Sequence, residues 1–291
     1  MSDTDAETDT AISPPTSNAL APIGVFDSGV GGLSVLRAIR QALPHHPLLY
    51  VADTAHAPYG DRSAGFIQGR ASHIARLLVD QGAQALVVAC NTASVHASRS
   101  LRAQYSLPVV AIEPAIKPAT AMTKTGVIGV LATRQTLAST SVAHLCATYG
   151  SQCRILLQAC PGLADQVDKG ELDSPATRAL LQQFLEPLQK AGADVIVLGC
   201  THYPFLSPLI QAMVGLHVTL IDPSIAVAAE LSRRLNVNAA APGSPQMSGP
   251  TGTTRFMATG PAAEIQRVLS RLWREDMPVL RFCQEPLSLS V

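Results

Sequence analysis

Short apolar runs rich in Val, Ile and Leu alternate along this chain with longer stretches whose apolar positions recur every three or four residues. Continuous apolar runs ending in small or polar residues suit strands buried on both faces, and the intervening pattern suits amphipathic helices laid over them. The runs are Ile23–Phe26, Leu48–Ala52, Ala85–Ala89, Val109–Ile112, Val127–Leu131, Arg154–Gln158, Val195–Gly199 and Val218–Ile221. They predict an α/β fold with eight strands in two parallel sets of four. Further on, the Pro-, Gly- and Ser-rich stretch Ala239–Thr254 predicts a loop. After Phe256-Met257, the segment Pro261–Trp273 predicts an amphipathic helix that closes the first set.

The two sets also match each other in order. Ile23-Gly24-Val25-Phe26-Asp27-Ser28 lies beside Ile128-Gly129-Val130-Leu131-Ala132-Thr133, an offset of 105. Leu86-Val87-Val88-Ala89-Cys90-Asn91 lies beside Ile196-Val197-Leu198-Gly199-Cys200-Thr201, an offset of 110. Val109 to Ile116 lies beside Val218 to Ile225, with Glu113 over Asp222. Parallel βα units resemble one another by construction, so each match alone says little, but their common order favours a duplicated unit. Two similar lobes related by a pseudo-two-fold would bring equivalent strand ends to a shared cleft. We therefore expect a first lobe at 23–113 plus 222–285 and a second at 114–221, with the active site between them.

Composition narrows the function classes. The 291 residues are 47% apolar and 14% charged, enough for a large folded core. Twenty-one basic residues balance twenty-one acidic ones, so no net field steers the chain toward nucleic acid or an anionic membrane. Residues 1–22 carry Asp3, Asp5, Glu7 and Asp9 with no Lys or Arg, which predicts a disordered acidic tail rather than a secretory signal. No apolar run reaches the ~18 residues of a membrane span, and a cytoplasmic location is expected. Six cysteines (Cys90, Cys146, Cys153, Cys160, Cys200 and Cys283) without a C-x-x-C pair are expected to be reduced thiols, with Cys146, Cys153 and Cys160 as packing residues.

Two of these thiols carry the chemistry. Cys90 and Cys200 occupy the same position of the two repeats, each at the end of an apolar strand ahead of polar residues and a helix. A helix N-terminus favours thiolate character, which would make either sulfur a usable base. Removing a proton from the α-carbon of an amino acid needs a base on one face, and inversion needs an acid on the other. A pair of matched thiols facing each other supplies both in either direction, so racemisation is the expected reaction. The loop Asp27-Ser28-Gly29-Val30-Gly31-Gly32 would let backbone N–H groups approach an anion such as a carboxylate. Asp27 and His202 stand beside the proposed bases and could tune or relay their protons. The four lysines, Lys117, Lys124, Lys169 and Lys190, lie in no setting suited to a pyridoxal Schiff base. Neither a cofactor nor a metal is expected.

Four segments taken together resemble the bacterial glutamate racemases: Gly24–Leu33, Pro58-Tyr59-Gly60, Ala89–Ser94 and Gly199–Pro204. The resemblance runs from about Ile23 to Trp273. It implies cofactor-independent interconversion of L- and D-glutamate for peptidoglycan synthesis, with Cys90 acting on the D-isomer and Cys200 on the L-isomer. It further implies that Asp27 and His202 assist their respective cysteines. Asp27, Ser28, Tyr59, Gly60, Asn91, Thr92, Thr133, Thr136, Thr201 and His202 would hold the substrate. Two departures from the family pattern are visible: Asp168 replaces a glutamate near the cleft, leaving its assisting catalytic role shorter by one methylene, and His56 stands where an arginine is common. The partner expected is the small-molecule substrate, glutamate, with a homodimer left open. An aspartate or other racemase of the same superfamily, or an amino-acid-binding protein without catalysis, are the alternatives.

Overall fold

The computed structural model describes residues 20–236, 251–273 and 278–281. Most of the expected acidic tail, the core of the Pro/Gly/Ser-rich loop and Cys283 lie outside them. The strands are β1 (Ile23–Asp27), β2 (Leu48–Ala52), β3 (Ala85–Val88), β4 (Val109–Ala111), β5 (Val127–Ala132), β6 (Arg154–Ala159), β7 (Val195–Leu198), β8 (Thr219–Ile221), β9 (Thr254–Ala258) and β10 (Val279–Arg281). The helices are α1 (Leu33–Ala42), α2 (Ala64–Asp80), α3 (Asn91–Gln104), α4 (Ile116–Met122), α5 (Arg134–Leu137), α6 (Thr140–Tyr149), α7 (Leu163–Asp168), α8 (Pro175–Lys190), α9 (Ser207–Val214), α10 (Ser224–Arg234) and α11 (Ala262–Trp273).

Two parallel sheets result, in the orders β10-β9-β2-β1-β3-β4 and β6-β5-β7-β8. The runs β2-β1-β3-β4 and β6-β5-β7-β8 repeat one order, so the two halves share a topology as well as a sequence pattern. Every residue of β1, β2, β3 and β7 is buried, which is why these strands read as unbroken apolar runs. One apolar core crosses both sheets, joining Val30, Leu33 and Ile112 of the first half to Leu131, Leu163 and Tyr203 of the second. Separate clusters lie on the outer faces, under α2 and α3 on one side and α4 and α6 on the other.

β1 and β5 each sit where the strand order reverses, flanked by β2 and β3 or by β6 and β7. Ligands of open parallel sheets bind at the carboxyl ends of strands at such reversals, because the connections leave a crevice there. Asp27 ends β1 and Thr133 follows β5 directly; Cys90 and Cys200 each stand two residues beyond their strands, β3 and β7. Local sequence holds the strand ends in place. Cys90 caps α3, its sulfur accepting from Ala93 N at 3.4 Å, and Thr133 caps α5 by accepting from Thr136 N at 3.2 Å.

β9 and β10 go beyond the eight strands expected. The sequence pattern placed Thr254 in a loop, whereas it opens β9, which pairs with β2 from Leu48↔Thr254 to Ala52↔Ala258. β9 opens on two polar residues, Thr254 and Arg255, after a Pro-, Gly- and Ser-rich stretch, so it shows no continuous apolar run; partnership with β2 decides its conformation. Phe256 is 1% exposed, with its ring centroid 6.0 Å from Tyr50 and 5.7 Å from Trp273. Phe256→Ala should cost about 3–5 kcal/mol in urea unfolding, as for a large buried ring removed without collapse of the site. A loss below about 1 kcal/mol, the range of surface changes, would mean that β9 lies outside the cooperative core.

Candidate functional site

The cleft forms where the strand ends of the two sheets meet. From the first sheet, Asp27 is fully buried and accepts from Ser28 N at 2.6 Å and Ser28 Oγ at 3.1 Å. Ser28 Oγ also lies 3.5 Å from Cys90 Sγ. From the second sheet, Thr201 Oγ1 donates to Asp27 Oδ2 at 2.9 Å, so the carboxylate is shared between halves. Cys200 Sγ lies 3.6 Å from His202 Nδ1, and His202 Nε2 lies 3.1 Å from Asp168 Oδ1. Cys90 and Cys200 are 4% and 6% exposed. Both thiols are therefore held out of bulk water, one from each half.

The glycine loop after β1 approaches a carboxylate, and that carboxylate belongs to the protein. Val30 N donates to Asp168 Oδ1 at 3.4 Å across the cleft. A Cβ on Gly31 would stand 2.3 Å from His202 Nδ1, and one on Gly29 would stand 3.1 Å from both Asp168 Oδ1 and His202 Nε2. The missing side chains let the His202–Asp168 pair seat directly on the loop backbone.

Thr92, Thr133 and Thr136 form a triangle of hydroxyls spanning the cleft, at 3.0 Å (Thr92 to Thr133), 3.3 Å (Thr92 to Thr136) and 3.0 Å (Thr133 to Thr136). Asn91, next to Cys90, is 2% exposed, and neither its Nδ2 nor its Oδ1 has a protein partner. A buried amide left unpaired costs about 1–3 kcal/mol, which marks Asn91 as a group waiting for a ligand that both donates and accepts. Gly60 abuts Thr133, where an added Cβ would lie 3.2 Å from Thr133 Cβ. The Tyr59 hydroxyl, by contrast, does not face the cleft: Tyr59 is 1% exposed and donates to Asp53. Asp53 and its partner Arg70 were not singled out from the sequence, although a carboxylate directly after a strand, as at Asp27, was a usable signal. A cavity of about 600 Å³ reaches Val30, Pro58, Asp168 and Ile265 beside the cleft, without reaching either sulfur. Among the described residues no three His, Cys, Asp or Glu side chains converge as a metal site needs, and no helix is long and apolar enough to cross a membrane.

Burial overturns the expectation that a helix N-terminus makes Cys90 a ready thiolate. Desolvation, joined by the nearby Asp27 carboxylate, pushes the Cys90 thiol up to about 12 despite hydrogen bonds from Ser28 and Ala93 N. Cys200 is followed by a short 3₁₀ turn, Tyr203–Leu206, before α9, so it does not stand at an α-helix start at all. Burial also raises Asp27, although His202 and Thr201 oppose it. For His202 burial acts downward, and the Asp168 carboxylate outweighs it, holding the imidazolium well above its ordinary range. Asp168 is lowered in turn, because His202 and Val30 N overcome its own desolvation.

The family model for Asp/Glu/hydantoin racemases matches residues 23–231. The chain is 49% identical over 260 residues to the glutamate racemase of Ectopseudomonas mendocina, covering 89% of this chain and 97% of that one. Its fold is similar to that of a glutamate racemase isoform from Bacillus anthracis, with TM-score 0.80 and 32% identity over 92% of this chain and 98% of that one. It is also similar to Escherichia coli glutamate racemase in complex with L-glutamate and the activator UDP-MurNAc-Ala, with TM-score 0.77 and 30% identity over 90% and 97% of the two chains.

Asp168→Asn should remove the largest influence that opposes burial at His202, leaving the weaker one of Cys200, so its imidazolium should titrate at lower pH; ¹⁵N-detected imidazole NMR of the two proteins checks this. Because the folded value of His202 is raised, the stabilisation from the pair is complete below the ordinary 6.5 and is lost as pH rises through the folded value. Because that of Asp168 is lowered, the same stabilisation is present above the ordinary 3.8 and is lost as pH falls through the folded value. An unchanged His202 titration in the variant would refute the assignment of Asp168 as the cause.

Proposed function

The chain belongs to the Asp/Glu/hydantoin racemase family, and on that premise we propose that it interconverts L- and D-glutamate by passing the α-proton through Cys90 and Cys200. The observation that carries this reading is the pair of buried thiols on equivalent strand ends of two like sheets, with the ligand-seeking amide of Asn91 beside one of them. Inversion needs a base and an acid on opposite faces of one carbon, and no redox step or leaving group. One sulfur, as thiolate, takes the α-proton; the electron pair stays on carbon; the other sulfur, as thiol, returns a proton from the opposite face. The two sulfurs then hold each other's protonation states. The next turnover in the same direction waits for a proton to move back.

The two thiols have different surroundings, and these suit opposite halves of the exchange. Cys90, held protonated by burial and by Asp27, is the acid when L-glutamate reacts. Cys200 faces the His202 imidazolium, a positive charge and donor for a sulfur that has lost its proton. Asp168 keeps that imidazolium charged and oriented. For D-glutamate the roles reverse: Cys90 must give up its proton, and Asp27, itself raised by burial, is the neighbouring group able to take it. Glutamate is held by backbone at Ser28, Tyr59 and Gly60, by the Asn91 amide, and by the hydroxyls of Thr92, Thr133, Thr136 and Thr201. The hydroxyls that bond one another across the cleft exchange those partners for the substrate at little net cost, since one hydrogen bond replaces another. The product D-isomer serves peptidoglycan synthesis in the cytoplasm.

Incubation with L-glutamate in D₂O, without added cofactor, should yield D-glutamate carrying deuterium at the α-carbon. Aspartate in parallel should turn over far more slowly, because the shorter chain misplaces its distal carboxylate. Cys90→Ala and Cys200→Ala should each abolish inversion. Absence of any α-proton exchange by the wild-type protein, or inversion surviving in either single variant, would end the two-thiol reading.

A further inference from the structure

Asp53 is the most heavily bonded carboxylate described in this chain, and it lies outside the catalytic chemistry set out above. It follows β2 and is 0% exposed, as Arg70 on α2 is 2% exposed. Arg70 grips it with a fork, Nε to Oδ2 at 2.9 Å and Nη2 to Oδ1 at 2.9 Å. Tyr59 OH donates to Oδ2, His56 Nδ1 lies 2.9 Å from Oδ1, and Thr259 Oγ1 donates to Oδ1 at 2.8 Å. Two further bonds, Ala55 N to Thr259 Oγ1 at 3.1 Å and Gly260 N to Thr54 Oγ1 at 3.1 Å, fasten the same segment to the end of β9. His56, which departs from the family pattern, thus has a use here as one of the donors to Asp53.

What this cluster holds is the loop between β2 and α2, and that loop forms the first lobe's rim of the cleft. Gly60 sits against Thr133, Ala57 and Pro58 line the neighbouring cavity, and the Tyr59 ring packs in the same buried cluster as Cys90. A buried ion pair adds little net stability over an apolar substitute, because desolvation offsets the attraction. It does impose one geometry, since a forked pair tolerates little displacement. We propose that Asp53 and Arg70 are a positioning pair that holds the rim loop at the distance from Thr133 needed to bind glutamate, without touching glutamate themselves. The inference rests on the proposed racemase reading and adds the residues that set substrate affinity at that site.

The test is a double-mutant cycle on initial rates over a range of glutamate concentrations, with melting temperatures measured alongside. Tyr59→Phe removes only the hydroxyl that reaches Asp53, and should raise KM by roughly 5- to 10-fold, with kcat within about two-fold, the effect of losing one charge-assisted bond that positions rather than reacts. Arg70→Lys keeps the charge but loses the fork, and should act in the same sense. If Tyr59 acts through Asp53, adding Tyr59→Phe to Asp53→Asn should raise KM no further. Should Asp53→Asn fail to fold, Tyr59→Phe and Arg70→Lys taken singly, each read as KM against kcat, carry the test. Lower melting temperatures with unchanged KM would reduce the cluster to a purely structural one and overturn the proposal, as would independent, multiplying effects, which would put the Tyr59 hydroxyl on the substrate. Wild-type turnover separates the two readings: no reaction with glutamate sinks the racemase proposal, whereas normal wild-type kinetics with unaffected variants sinks only this one.

Discussion

The seating of the His202 ring on the bare backbone of Gly29–Gly31 is the contact on which the site depends. With an added Cβ on Gly31 only 2.3 Å from His202 Nδ1, any side chain there would push the ring away. Because the ring can settle, its Nδ1 reaches Cys200 Sγ and its Nε2 reaches Asp168, whose carboxylate in turn accepts from Val30 N of the opposite half. The absent side chain thus lets the His202 ring of the second half settle on the loop of the first.

A near-symmetric sequence yields an asymmetric pair of thiols through their neighbours. Asp27 and Ser28 lie on the Cys90 side, and His202 and Asp168 on the Cys200 side. A carboxylate and an imidazolium act in opposite senses on a nearby sulfur, because one disfavours and the other favours negative charge. The reaction, being the same in both directions, demands one acid and one base at any instant rather than two equal groups. The like strand orders supply matched positions, and the groups around them supply the difference.

The bonds that cross the cleft are few and modest: Thr201 to Asp27, Ser34 Oγ to the carbonyl of Thr201 at 3.0 Å, Val30 N to Asp168, and the threonine triangle. The neutral ones are worth about 0.5–1.5 kcal/mol net each and those to carboxylates about 1.5–3, far less than the apolar core shared by the sheets. The halves are joined firmly at their core and lightly at the cleft. A substrate rich in acceptors can replace the light contacts without disturbing the firm ones.

The strand runs, the repeat that pairs Cys90 with Cys200, and the grouping of Asp27, Ser28, Asn91, Thr92, Thr201 and His202 near strand ends were legible in the sequence. All are local: strand burial shows as apolar run length, and a strand end in a parallel sheet shows as a run that stops in polar residues. What eluded the sequence depends on contacts far apart along the chain. β9 becomes a strand because β2 offers it an edge. The Tyr59 hydroxyl turns to Asp53, and Asp53 to Arg70, because a buried carboxylate must find donors wherever the fold supplies them. The Cys90 thiol is pushed up although it caps a helix, because burial in the packed cluster that also holds Tyr59 and Met257 removes the water that would solvate its charge. Sequence determined which groups arrive at the cleft; tertiary enclosure decided their protonation and partners, since both are set by the surrounding dielectric and by neighbours that no local pattern encodes.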